Sequence, residues 1–193
     1  IRDFGLTDTQ LEFKRLAAEF VDAEIVPNVR EWDRRESVDL EIVTKMGDLG
    51  FLGLMLPEEY GGLDCDMVSY VLVAEELGRG DSSVRGIFSV SLGLVAKTIA
   101  AHGTDEQKAQ WLPDLASGRS LGCFALTEPG TGSDASGLIT RATRDGDDWV
   151  ITGNKMFITN GTWAKVALTF ARTSEKGITA FLVPTDTPGF EAR

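Results

Sequence analysis

Histidine is almost missing from this chain, and cysteine is nearly so. His102 is the one histidine in 193 residues, and Cys65 and Cys123 are the two cysteines. Without a C-x-x-C pair or a second histidine, no metal site built from clustered Cys and His is expected. His102 stands just before Gly103, where it can bond the last carbonyls of its helix. Asp145-Gly146-Asp147-Asp148 lacks the register of an EF-hand loop and reads as a turn. No G-x-S-x-G occurs and His102 has no evident nucleophile partner, which leaves hydrolase chemistry unsupported. The cysteines lie far apart and read as small buried apolar residues of a reducing compartment. Asn160-Gly161-Thr162 is a glycosylation triplet by letter only.

Basic charge is also short. Lys and Arg number 19 against 30 Asp and Glu, for a formal net charge of -11. A nucleic-acid or anionic-membrane partner needs a basic face, so neither is expected. The longest apolar region, "VRGIFSVSLGLVAKTIAA", is broken by Arg85 and Lys97 and carries serines, so no membrane span is expected there. The N-terminus shows no charged-then-apolar leader, and no Met stands at position 1.

What is present divides by texture. Residues 1–118 read as a helical domain. Thr7 with Gln10 forms a capping box, followed by Leu11, Phe13, Leu16, Ala17 and Phe20 at helical spacing until Pro27. A second helix after Asp39 would turn Leu40, Val43 and Met46 inward, with Gly50 past its end. "FLGLMLPEEYGGLD" reads as a loop packed on the helices. A third helix runs from about Asp66 to Leu77 and is stopped by Gly78 and Gly80. A fourth, Ser83 to Ala101, carries few charges and is central. Thr104 with Gln107 opens a fifth, with Asp105 and Glu106 in its first turn, where the helix dipole favours negative charge.

Residues 119–193 read as an antiparallel β domain, making the class α+β. "SLGCFAL" is a short apolar strand. "LITRATRDGDDWVITG" places β-branched residues around the hairpin signal Asp145-Gly146. "KMFITN", "KVALTFART" and "GITAFLVPT" continue the strand character.

Between the first two strands lies "ALTEPGTGSDASG". Its Gly130-Thr131-Gly132-Ser133-Asp134-Ala135 spells G-x-G-x-x-A, one form of the dinucleotide fingerprint. That fingerprint needs a helix opening at its end, but Ser136-Gly137 and a hairpin follow, so a Rossmann site is rejected. The loop still has ligand chemistry. Gly130 and Gly132 permit close backbone approach, consecutive N–H groups can form an anion nest, and Thr127, Thr131 and Ser133 add hydroxyls. The plain alternative is a tight turn joining two strands.

"GCFALTEPGTGSDASG" followed by "GNKMFITNG" resembles the paired signature of the acyl-CoA dehydrogenase family. "GFLGLMLPEEYGG" and "GTDEQKAQWLPDLASG" resemble that family's helical domain, in the right order. The resemblance spans essentially the whole chain. It implies FAD as cofactor and α,β-dehydrogenation of an acyl-CoA thioester, with proton removal at Cα and hydride transfer from Cβ to flavin N5. It further implies an electron-transfer flavoprotein as acceptor, a homotetramer, and a cytoplasmic or mitochondrial-matrix location.

Carried over by position, Phe124 and Leu126 would line the flavin ring, with the Leu126 N–H and Thr127 hydroxyl on its pyrimidine edge. Gly132 and Ser133 would meet the pyrophosphate, with Ser133 also facing the acyl-CoA. Phe157 would cover a flavin face, and Ile158 and Thr159 would bring an N–H and a hydroxyl towards N5. From the residues alone, the same positions also read as strand core, β-formers and a turn. "DSSVRGIFSVS" resembles the glutaryl-CoA dehydrogenase branch, where an arginine at the Arg85 position meets a distal carboxylate. Gly78 and Gly86 depart from that branch's polar partners, and a helix-surface charge is the other reading of Arg85.

The family's catalytic base is a glutamate of a third, helical domain, which this chain is expected to lack. Glu128 and Asp134 read as turn-fixing acids, and no catalytic residue is assigned. The same fold also serves acyl-CoA oxidases and carrier-protein-linked dehydrogenases. A catalytically incomplete binding or assembly module is the reading of another class.

Overall fold

The first helix starts where its end chemistry dictates. The Thr7 hydroxyl accepts from the Gln10 N–H, and the Gln10 side chain accepts from the Thr7 N–H. Two donors without intrahelical partners are thereby satisfied reciprocally. From this cap α1 runs Asp8–Phe20, in a computed structural model that describes residues 5–193. The chain forms two compact units, one ending at Ser120 and the other spanning Leu121–Arg193.

In the helical unit, α1 passes into a π-helical turn, Val21–Ile25, and the Pro27 turn leads to α2, Val29–Arg35. Of the apolar stripe on α1, Ala17 and Phe20 are buried while Leu11 is exposed, and the Phe20 ring meets Phe51 edge-on. α3, Glu41–Asp48, buries Ile42, Val43 and Met46. Leu40, expected inward, is its N-cap and lies exposed, because the helix begins one residue later and Ile42 takes the inner face. "FLGLMLPEEYGG" folds as two 3-10 turns, Phe51–Gly53 and Glu58–Tyr60, with Phe51, Leu52, Leu54, Met55 and Leu56 buried. A Cβ on Gly62 would lie 2.0 Å from the Leu56 carbonyl oxygen, so only glycine lets this loop fold back on itself.

α4 runs Met67–Gly80, longer than expected. Gly78 and Gly80 lie inside it and do not stop it. Gly80 marks a close approach: a Cβ there would be 2.6 Å from Val21 Cγ1 and 3.0 Å from Ile25 Cγ2. The central helical stretch comprises α5, Ser82–Phe88, a π-helical segment, Ser89–Ala96, and α6, Lys97–His102. By length and composition it is apolar enough to cross a membrane. Its Val84, Ile87, Phe88, Leu92, Val95, Ala96 and Ile99 are buried within the helical unit, as in the core helix of a globular domain. α7, Asp105–Ala116, opens with the Thr104–Gln107 capping box. His102 ends α6 exposed.

The second unit is built on one strand. β1 is Gly122–Ala125, β2 Arg141–Asp145, β3 Asp148–Thr152, β4 Val166–Arg172 and β5 Ile178–Pro184. β4 is the hub, with Val166, Ala167, Leu168, Thr169 and Ala171 buried. β5 pairs along one edge of it, Val166↔Pro184 through Arg172↔Ile178. On the other edge β1 pairs at Gly122↔Val166 through Ala125↔Thr169, and β2 meets β4 at Arg141↔Arg172.

The α+β class stands, but the sheet is mixed. β2–β3 and β4–β5 are antiparallel hairpins, while β1 and β2 run parallel to β4. The long connection between β1 and β4, which contains a whole hairpin, brings the chain back in the same direction. "KMFITN" is no strand. Phe157 and Asn160 have φ of 58° and 67°, left-handed values that break a pleat. Cys123 is buried and its thiol is pushed up to about 11 by burial, as for an inert core residue. Cys65 is only half-buried, so the core reading holds for Cys123 alone.

Candidate functional site

The residues singled out in the second unit fall in two segments that the structure brings together. Phe124, on β1, is half-buried with its ring 5.0 Å from that of Phe170. Leu126 and Thr127 follow, both half-buried, where β1 ends. The Thr127 carbonyl accepts from the Met156 N–H at 2.9 Å, which ties this segment to the one carrying Phe157, Ile158 and Thr159. Phe157 is 85% exposed, its ring presented outward by the left-handed backbone. Ile158 turns the other way and packs on the buried cluster of Cys123, Ala164 and Ala167. Thr159 is exposed, and buried Asn160 anchors the turn by donating to the Gly122 carbonyl at 3.1 Å.

Gly132 and Ser133 sit at an exposed loop tip. A Cβ on Gly130 or Gly132 would meet nothing within 4 Å, so both face open space. Glu128 and Thr131 exchange backbone hydrogen bonds of 3.0 and 3.1 Å, closing a tight turn. The Thr131 N–H is therefore engaged in the turn and is not available to an anion nest. Arg85 belongs to the helical unit, on α5, and is exposed with its stem running beside Gly78.

The strongest electrostatics of the site lie in residues the sequence did not single out for it. Glu128 is 4% exposed. Its carboxylate accepts from the Ile139 N–H at 2.6 Å, the Thr140 N–H at 2.9 Å and the Lys155 ammonium at 2.8 Å. Burial pushes its carboxyl up, but the bonds from Ile139, Lys155 and Thr140 outweigh this and hold it at about 2. Lys155 also donates to the Leu126 carbonyl at 3.1 Å. Arg172, at the end of β4, donates to the carbonyls of Ser136, Leu138 and Glu175. Segment 136–140 is thus held through its N–H groups by a carboxylate and through its C=O groups by a guanidinium. Asp134 accepts from Ser136 within the loop at 2.6 Å. The signal for Lys155 was its place two residues before Phe157, but a lone lysine in a polar stretch carries no pattern.

Two family descriptions match the chain almost end to end: "Acyl-CoA dehydrogenase, N-terminal domain" over residues 7–119 and "Acyl-CoA dehydrogenase, middle domain" over 123–193. The chain belongs to the acyl-CoA dehydrogenase family. It is 40% identical over 192 residues to a probable acyl-CoA dehydrogenase of Bacillus subtilis, covering 97% of this chain and 50% of that one. The mitochondrial short-chain specific acyl-CoA dehydrogenase of Bos taurus is 40% identical over 188 residues, 95% of this chain and 46% of that one. Among solved structures, a glutaryl-CoA dehydrogenase from Mycobacterium smegmatis in complex with FADH2 superposes with TM-score 0.95 at 44% identity, covering 100% of this chain and 49% of that one. Butyryl-CoA dehydrogenase from Megasphaera elsdenii gives 0.92 at 40%, covering 97% and 51%. The chain therefore spans about half the length of the acyl-CoA dehydrogenases it matches.

Proposed function

We propose that the protein is an FAD-dependent acyl-CoA dehydrogenase, and that this chain supplies its helical domain, 1–118, and the first part of its β domain, 119–193. The observation that carries the reading is Phe157. A large aromatic ring lies 85% exposed on a left-handed backbone, tied through Met156 and Thr127 to a glycine loop that faces open space. Left-handed φ at a non-glycine residue costs roughly 1–2 kcal/mol and concentrates at ligand sites. An exposed apolar plane and the hydroxyl of exposed Thr159 on one segment, with the hydroxyl of exposed Ser133 and an open glycine backbone on the other, fit a flat heterocycle bearing a pyrophosphate. A relative holding FADH2 at 44% identity supports the same assignment.

FAD, when bound, supplies the hydride acceptor for α,β-dehydrogenation of an acyl-CoA thioester. Phe124 and Leu126 line the ring, and the Leu126 N–H and Thr127 hydroxyl donate to its pyrimidine edge, where preorganised donors stabilise the charge of the reduced state. Phe157 covers one face and excludes water. Ile158 and Thr159 bring an N–H and a hydroxyl to the reacting edge. Gly132 admits the pyrophosphate, and Ser133 bonds it and faces the acyl-CoA. Removal of the Cα proton falls to a carboxylate of a third, helical domain outside this chain. Glu128, with its carboxylate engaged by three donors and held at about 2, is a poor proton acceptor.

The whole protein passes its electrons to an electron-transfer flavoprotein and assembles as a homotetramer, in the cytoplasm or the mitochondrial matrix. Arg85 is the candidate for a distal substrate carboxylate, a reading supported by the glutaryl-CoA dehydrogenases among the solved structures. Anaerobic titration of the purified protein with saturated acyl-CoAs tests the reading. Bleaching of the flavin band by one of them is expected, and Thr127→Val and Ser133→Ala should weaken flavin retention or slow reduction. If both variants hold and reduce flavin like the parent, the site is elsewhere. For Arg85→Ala, an unchanged preference between monocarboxylic and dicarboxylic acyl-CoAs eliminates its role.

A further inference from the structure

We propose that Lys155 and Glu128 are positioning residues that hold the two segments of the flavin site in register, an inference that rests on the flavin reading above. Hydrogen bonds join the segments beside the assigned residues: Lys155 Nζ to the Leu126 carbonyl at 3.1 Å, Lys155 Nζ to Glu128 Oε1 at 2.8 Å, and the Met156 N–H to the Thr127 carbonyl at 2.9 Å. The residues assigned to the cofactor flank these bonds, with Leu126 and Thr127 on one segment and Phe157 to Thr159 on the other. The Lys155 and Glu128 side chains are 11% and 2% exposed, so each charge depends on the other and on its backbone partners. Removing one partner of such a buried pair leaves an uncompensated charge, and the join has to rearrange.

Lys155 has a second, electronic effect. Its ammonium sits on the Leu126 carbonyl, and the N–H of that same peptide is Thr127's. A cation at the oxygen polarises and fixes the peptide that lies between the Leu126 N–H and the Thr127 hydroxyl, the two donors assigned to the pyrimidine edge. The pair thus acts through Thr127 and Phe157 without touching the cofactor.

The test is FAD reconstitution of the full-length apoprotein, following affinity and the visible flavin spectrum. Lys155→Met should lose roughly tenfold or more in FAD affinity and shift the flavin band. Lys155→Arg, which keeps a cation able to bridge, should recover most of both. If Lys155→Met does not fold, Lys155→Gln, a donor without charge, carries the same comparison. Gly80→Ala, a destabilising change in the helical unit, should leave the flavin band unmoved. The inference is overturned if Lys155→Met binds FAD within about twofold of the parent with the parent's spectrum. It is also overturned if Lys155→Arg is as weak as Lys155→Met, or if Gly80→Ala shifts the band equally. A parent that takes up no FAD removes the flavin reading itself, and so separates that failure from a failure of the pair alone.

Discussion

Glu128→Gln is the sharpest perturbation of the site's framework, because it changes one oxygen to nitrogen at nearly constant shape. The carboxylate accepts from two backbone N–H groups and an ammonium, with 4% of the residue exposed. Its pKa of about 2, against an ordinary 4.5, corresponds to about 3 kcal/mol at 1.36 kcal/mol per unit. Breaking a buried, hydrogen-bonded ion pair by removing one partner costs roughly 3–5 kcal/mol, so two routes agree on about 3 kcal/mol. At 1.4 kcal/mol per tenfold, local opening of segment 136–140 should become about 100-fold more frequent in the variant.

Amide hydrogen exchange at neutral pH reads this directly, since the Ile139 and Thr140 N–H groups donate to Glu128. Their protection should fall by about two decades, while amides of β4 and β5 stay protected. The pH dependence follows from the sign of the shift. The folded-state pKa is depressed, so the stabilisation is complete above about 4.5 and is lost as pH falls towards about 2. Parent protection at Ile139 and Thr140 should decline in that window, after correction for intrinsic exchange, and the variant should show no such decline. Protection in Glu128→Gln within about threefold of the parent at neutral pH would refute the reasoning, because it would mean the carboxylate carries no load.

Two further outcomes follow from the geometry. Phe157→Gly relieves a left-handed φ of 58° at an exposed ring, so thermal unfolding of the apoprotein should be unchanged or raised by up to about 1 kcal/mol while FAD affinity falls. Loss of apoprotein stability together with unchanged FAD affinity would assign Phe157 to packing. Gly80→Ala places a Cβ 2.6 Å from Val21 Cγ1 and should cost about 1–3 kcal/mol in denaturant unfolding; a neutral result would mean α4 and the Val21–Ile25 turn can separate freely.

Local chemistry was legible in the sequence wherever a signal lies within a few residues. Both capping boxes form, because each needs only a hydroxyl and an amide three positions apart. The Asp145-Gly146 hairpin forms because the turn needs one residue at positive φ, and Gly146 takes 62°. The class of each half followed from periodicity, and the paired motifs carried the family resemblance. Errors came where tertiary neighbours override local preference. Gly78 and Gly80 read as a stop, yet α4 continues through them, and a neighbouring turn approaches so closely that only glycine fits at Gly80. "KMFITN" has strand composition, but its backbone is bent into a left-handed turn held by Asn160 on β1.

The sequence by itself determined where α1 and α7 cap and which half is helical, since propensity and turn chemistry act over a few residues. Only the tertiary structure decided that β1 and β4 run parallel, and that Glu128 meets Lys155 and Thr140 rather than acting alone. Those partners are separated by 12 to 44 positions of chain. Charges so far apart in sequence are paired by the path of the strands between them, and no local pattern encodes that path.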